Sequence, residues 1–303
     1  MKNILITLLS MLIPSSVIMA QYQNVQEKAS LVNVPLEKFV SQQKTLFNFD
    51  WKFQLVTEEN KGTNFAAPAL DDSSWRILDL PHDFQFEQPW TKAGGGARGF
   101  KPMCEGWYRK SFQADPLWKG KRVVMDFGGI IYLGDVYLNG HKIASTDYGY
   151  VGIEADLTPY LHFEKENIVA VYASTGPKKG SRWYTGGGLF RDVYLQVQNP
   201  THIARHGIYI TTPEVVSDKA TVAVQVDGWQ KHDVLVRTTV RNPEGKVVGS
   251  AHNTMPKHTQ QTCTELKLPA ITLKNPQLWS CNTPQLYSAD VVVVADGMVV
   301  DSI

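Results

Sequence analysis

Three short runs bring aromatic rings together with charged or amide side chains: PHDFQFEQPW at 81–90, GWYRK at 106–110 and SRWY at 181–184. Saccharides are held by aromatic faces that cover their C–H surfaces and by charged or amide groups that take up their hydroxyls. These residue types suit a sugar site. The same residues also serve core packing and ordinary surface polarity, and that role stays open to them.

Other chemistries find less support. The glycine triplets at 94–96 and 186–188 lack the Gly-Lys-Ser/Thr ending of a phosphate loop, and neither lies between a strand and a helix as a dinucleotide site requires. They read as backbone that turns tightly or approaches another surface. His202 and His206 are four apart in HIARH, but on a strand that spacing separates them by about 13 Å, so a solvent-facing pair is expected and no metal site. No G-x-S-x-G elbow is present, and Cys104 in KPMCEGW has no cysteine-protease signature around it. Asp71-Asp72 and Glu58-Glu59 read as charged loop residues. For Arg191, in LFRDVYL, an ion pair or interdomain contact is expected rather than catalysis. No catalytic, metal or cofactor site follows from these residues.

The elements that must position the three aromatic runs are strands. WYRKSFQA at 107–114, KRVVMDF at 121–127, NIVAVYAS and FRDVYLQVQ are short, β-branched or aromatic runs bounded by Pro, Gly and Asp. Asn139-Gly140 sits between two strand-like runs as a type I′ hairpin turn. A break falls at Asn199-Pro200. After it come ATVAVQVDGW, with Val222, Val224 and Val226 on one face, and DVLVRTTVRNPEGKVVGSA, where Asn242-Pro243-Glu244-Gly245 is turn chemistry. An all-β chain is expected: a jelly-roll, galactose-binding-like sandwich over 46–199, then an immunoglobulin-like sandwich over 200–303, C-terminally incomplete.

Residues 1–20, MKNILITLLSMLIPSSVIMA, have one early lysine, an apolar run and a small residue before Gln21, the pattern of a secretory signal peptide cleaved near Ala20. Residues 21–45 read as an aperiodic lead-in. An exported periplasmic or extracellular protein is expected, not an integral membrane one. With 30 basic and 29 acidic side chains, nothing steers the chain to nucleic acid. Three cysteines are too few for a disulfide scaffold, although Cys263 and Cys281 could pair.

Seven segments in one order resemble the N-terminal half of glycoside hydrolase family 2, in its β-galactosidase-like branch. They are FNFDWKF (47–53), DDSSWRILDLPHDFQFE (71–87), EGWYRKSF (105–112), GGIIYLGDVYLNGHKI (128–143), YGYVGIEADLTPYL (148–161), SRWYTGGGLFRDVYL (181–195) and NPQLWSCNTPQLY (275–287). The resemblance implies a jelly-roll sugar-binding domain, an immunoglobulin-like domain and, in full-length members, a catalytic (β/α)₈ barrel. That barrel hydrolyses β-galactosides, β-glucuronides or β-mannosides with retention, through two glutamates about 5 Å apart. It also implies that jelly-roll loops help shape the sugar pocket, which makes His82, Asp83, Arg182, Trp183 and Tyr184 the substrate-binding candidates. Where some β-galactosidases have an aspartate that contacts galactose and sodium, Arg182 stands here, so no sodium site is carried over.

The acid/base glutamate of the family normally follows an asparagine, and no Asn-Glu dipeptide occurs here. A barrel needs about 250 residues, and sixteen follow Tyr287. The expectation is a non-catalytic front part of an exported glycosidase, inactive alone, with a β-linked glycan or galactoside and a catalytic barrel as partners and no cofactor. A stand-alone carbohydrate-binding protein, or a module for a separately encoded barrel, is the alternative.

Overall fold

The computed structural model describes residues 43–176, 184–257 and 263–303, which form two compact units. The predicted signal peptide lies outside the described residues, as does most of the predicted lead-in. The strand Gln43–Leu46 already begins inside that lead-in.

The first unit, over 43–204 with 228–231, contains β1 (Gln43–Leu46), β2 (Trp51–Leu55), β3 (Arg76–Leu78), β4 (Glu105–Phe112), β5 (Arg122–Phe127), β6 (Leu133–Leu138), β7 (His141–Thr146), β8 (Ile153–Asp156), β9 (Asn167–Ser174) and β10 (Val193–Gln198). They make a four-stranded sheet, β1-β10-β5-β8, and a six-stranded sheet, β3-β2-β4-β9-β6-β7. Strand alternation sends every second side chain into the space between the sheets. In β6 these are Val136 and Leu138, while Asp135 and Tyr137 face outward. Trp51, Tyr108, Met125, Phe127, Ile130, Val169, Val171 and Val193 complete the core, and burying such a side chain is worth roughly 1.5–3 kcal/mol.

The β6–β7 hairpin turns on Asn139 (φ 51°) and Gly140 (φ 86°), both in the left-handed region a type I′ turn demands. Asp71 and Asp72 lie in a loop as expected, but Asp72 does more than face solvent. Asp72 is no free loop charge: it takes Lys52 Nζ at 2.5 Å and Arg109 Nε at 2.8 Å. The Arg109 side chain is buried and also donates to the carbonyls of Phe65 and Ala67, so this charge fastens the 65–72 loop over the sheet. Burial alone would raise the Asp72 pKa, but the bonds to Lys52 and Arg109 hold it below the usual value.

The second unit, over 205–227 and 232–303, is built on β11 (His202–Val216), β12 (Lys219–Trp229), β13 (Val234–Arg241), β14 (Val247–Met255), β15 (Thr264–Lys267), β16 (Ile271–Lys274), β17 (Ser288–Ala295) and β18 (Met298–Ser302). The sheet β11-β12-β15, with β16 on β12, and the sheet β14-β13-β17-β18 form the immunoglobulin-like sandwich. Val222, Val224 and Val226 share the buried face of β12, and the turn after β13 closes with Gly245 N–H on the Asn242 carbonyl at 2.8 Å.

The histidine reading of β11 needs correction: His202 is buried with Nδ1 2.8 Å from the Asn199 carbonyl, whereas His206 is exposed at φ 55°. A positive φ breaks strand regularity, so the two do not form a solvent-facing pair. All three cysteines are free thiols. Cys263 and Cys281 do not pair.

Candidate functional site

Asp83 joins two of the aromatic runs. It caps the one-turn helix Phe84–Glu87, its Oδ1 accepting from the N–H groups of Gln85 (3.0 Å) and Phe86 (3.1 Å). The same oxygen accepts from Gly187 N–H at 2.9 Å, and Oδ2 takes the Tyr184 hydroxyl at 2.6 Å. Backbone bonds from His82 N–H to Leu189 and from Phe84 N–H to Gly187 zip the two segments together. Burial, then the bond to Asp83, pushes the Tyr184 phenol well above its ordinary pKa, so Tyr184 stays a donor.

His82 is the second centre. Its Nδ1 lies 2.8 Å from the hydroxyl of the buried Tyr108, and its Nε2 lies 3.2 Å from Glu87 Oε1. Tyr108 Oη also accepts from Leu189 N–H at 3.5 Å, and Arg76 Nη2 lies 3.0 Å from His82 Nε2, beside Glu87. Burial lowers the His82 pKa, which favours the neutral ring. Arg76 closes the chain on Glu87 with bonds of 3.0 and 2.7 Å. Burial would raise the Glu87 pKa, but the bonds from Arg76 and His82 hold it low.

The glycines at 186–188 are fixed by this packing. At Gly188 (φ +116°) a Cβ would lie 2.3 Å from Tyr108 Oη, and at Gly187 it would lie 2.5 Å from Thr175 Cγ2. Gly188 also exchanges both backbone hydrogen bonds with Ile131. The triplet is therefore a close-approach strip between the 82–84 segment and Ile131. Arg182 and Trp183 lie outside the described residues. Of the candidates, the structure brings His82, Asp83 and Tyr184 together, and their polar atoms are largely spent on one another and on the backbone. No nucleophile and base pair emerges from this network: it holds loops in place.

A model described as the galactose-binding domain-like part of glycosyl hydrolase 2 matches residues 102–189, and one for glycosyl hydrolases family 2 matches residues 201–303. The chain belongs to glycosyl hydrolase family 2. It is 33% identical over 251 residues to the β-galactosidase BoGH2A of Bacteroides ovatus, covering 80% of this chain and 28% of that protein. A β-glucuronidase of Formosa agariphila is 26% identical over 297 residues, covering 88% of this chain and 30% of that protein. Among solved structures, a family 2 member from Bacteroides cellulosilyticus superposes with a TM-score of 0.76 at 32% identity, over 86% of this chain and 34% of that one. The chain thus spans about a third or less of the length of these relatives.

In this family 2 chain, several residues outside the candidate set organise the same region. Lys101 is buried, donates to the carbonyls of Phe86 and Gln88, and sits 3.8 Å over the Trp90 ring. A buried lysine has no period or motif that announces it. Burial also pushes the nearby Cys104 thiol up to about 12, which leaves it a poor nucleophile. Among the described residues Arg191 makes no ion pair; it donates to the carbonyls of Gly128 and Tyr150, both at 3.2 Å. Its neighbour Asp192 instead accepts from Asn48 at 2.8 Å, and the bend before β10 separates the two roles. Among the described residues, no group of three or more His, Cys, Asp or Glu could hold a metal, and no helix is long and apolar enough to cross a membrane.

Proposed function

We propose that this chain is the N-terminal framework of an exported β-galactosidase- or β-glucuronidase-like glycosidase, and that its 82–87 and 184–189 loops shape the mouth of a sugar pocket whose chemistry belongs to a catalytic barrel. The observation that carries this reading is the order of the two family 2 matches on successive sandwiches, together with relatives of both activities. Asp83 supports the loop role: it grips Tyr184 and, through Gly187 N–H, ties the 184–189 stretch to the 82–87 stretch. A β-linked glycan is the substrate class, and the barrel is the partner. The signal-like residues 1–20 support export.

The chain alone is expected to show no turnover of chromogenic β-galactoside or β-glucuronide, whereas a chimera joining it to the remainder of the B. ovatus β-galactosidase is expected to be active. Turnover by the isolated chain would overturn the division of labour. An intact chimera that folds but stays inactive toward both substrates would overturn the loop role.

A further inference from the structure

We propose that the outward face of the six-stranded sheet bears a saccharide site of its own, made by Tyr172, Asp135 and Asp147 and selective for neutral sugars. It uses none of the residues of the Asp83 network. The GWYRK run points to it. Its tryptophan, Trp107, faces away from the core and stands in a row of direct strand partners: Trp107 on β4 opposite Tyr172 on β9, Tyr172 opposite Asp135 on β6, and Asp135 opposite Ser145 on β7. Directly paired residues share a face, so ring, ring, carboxylate and hydroxyl lie side by side.

A cavity of about 530 Å³ opens at this row, lined by Leu133, Gly134, Asp135, Ser145, Thr146, Asp147 and Tyr172. That volume lies within the roughly 300–1,000 Å³ of small-ligand sites. Its aromatic wall is braced. Trp107 packs on Tyr172 with ring centroids 5.3 Å apart and on Tyr137 at 5.6 Å. A ring held in place loses little entropy when a ligand stacks on it.

The polar rim decides the ligand. Carboxylates accept hydrogen bonds and donate none, and sugar hydroxyls are donors. Lys142 is engaged with Asp135 at 2.6 Å, which leaves Asp147, exposed at the rim, to set a negative field. A neutral pyranose offers an apolar C–H face to Tyr172 and hydroxyls to the carboxylates. A uronate would meet like charge, at a cost of roughly threefold in affinity or more at contact distances in water.

The test is ligand-observed NMR and calorimetry on the whole chain with lactose, methyl β-galactoside and methyl β-glucuronide, at sugar concentrations up to about ten millimolar. Saturation transfer to the two neutral sugars, weaker for the glucuronide, is expected. Tyr172→Ala and Asp147→Ala are expected to abolish it, with Tyr209→Ala, at an exposed ring of the second unit, leaving it unchanged. Asp147 is exposed, so its variant reports even if Tyr172→Ala does not fold. No binding of either neutral sugar, equal or tighter binding of the glucuronide, binding indifferent to Asp147→Ala, or binding of a lysine-rich peptide in place of sugar would each overturn the proposal.

Discussion

At the scale of single residues, Asp83 is the most consequential side chain of the candidate site. Its carboxylate satisfies three backbone N–H groups and a phenol at once. Asp83→Ala leaves those donors without their partner, and a loss of about 2–4 kcal/mol is expected in urea unfolding. Asp83→Asn keeps an acceptor and is expected to lose less. His82 gives a pH signature. Its folded pKa lies below the 6.5 of the free side chain because of burial, so the unfolded chain takes up this proton first. Stability from this group is therefore full above pH 6.5 and declines as pH falls toward the folded value. Urea titrations from about pH 7 to pH 5 are expected to show a smaller loss for His82→Gln than for the natural chain. Glu87 and Asp72 act lower. Both pKa values are held down by cationic partners, so their contribution disappears as pH falls below the ordinary carboxylate range.

At the scale of elements, the decisive feature is the contact of the 186–188 strip with the 82–84 segment. Glycine is required there by distance as well as by φ. Gly188→Ala would drive a methyl group into Tyr108 Oη, displacing the hydroxyl from His82. Adding strain at a positive φ to this overlap, we expect a cost of about 3 kcal/mol or more, read from thermal or urea unfolding. The same substitution at Gly140, in the β6–β7 turn, meets a nearest atom at 3.1 Å. There the expected cost is about 1 kcal/mol, from the positive φ together with a small shift of Pro68.

At the scale of the whole molecule, the surface retains large apolar groups. Phe86 and Trp90 are 64% and 70% exposed and flank the buried Lys101. Adjacent exposed rings of this size favour association. Sedimentation velocity of the isolated chain is expected to show concentration-dependent self-association, reduced by the double substitution Phe86→Ser with Trp90→Ser. A monodisperse monomer at high concentration would count against it. This is also the scale of catalysis: the chain spans about a third or less of its relatives, and inactivity of the chain alone is the corresponding expectation.

Strand composition and turn chemistry are local, so the sequence by itself determined the two sandwiches. Alternating β-branched runs, Asn139-Gly140 and the 242–245 turn act through neighbours along the chain. The order of seven family segments did the same for membership in family 2. Other features depend on partners far apart in sequence. Asp72 looked like loop charge because Arg109, 37 positions away, is what buries it. His202 looked solvent-facing because strand spacing says nothing of how deeply that end of the strand is buried. Nothing around Tyr184 hints that Asp83, 101 positions before it, would hold its hydroxyl. Local periodicity fixes which residues become strands, whereas long-range hydrogen bonds between loops decide where the candidate side chains stand. That second decision is made only when the sandwich closes.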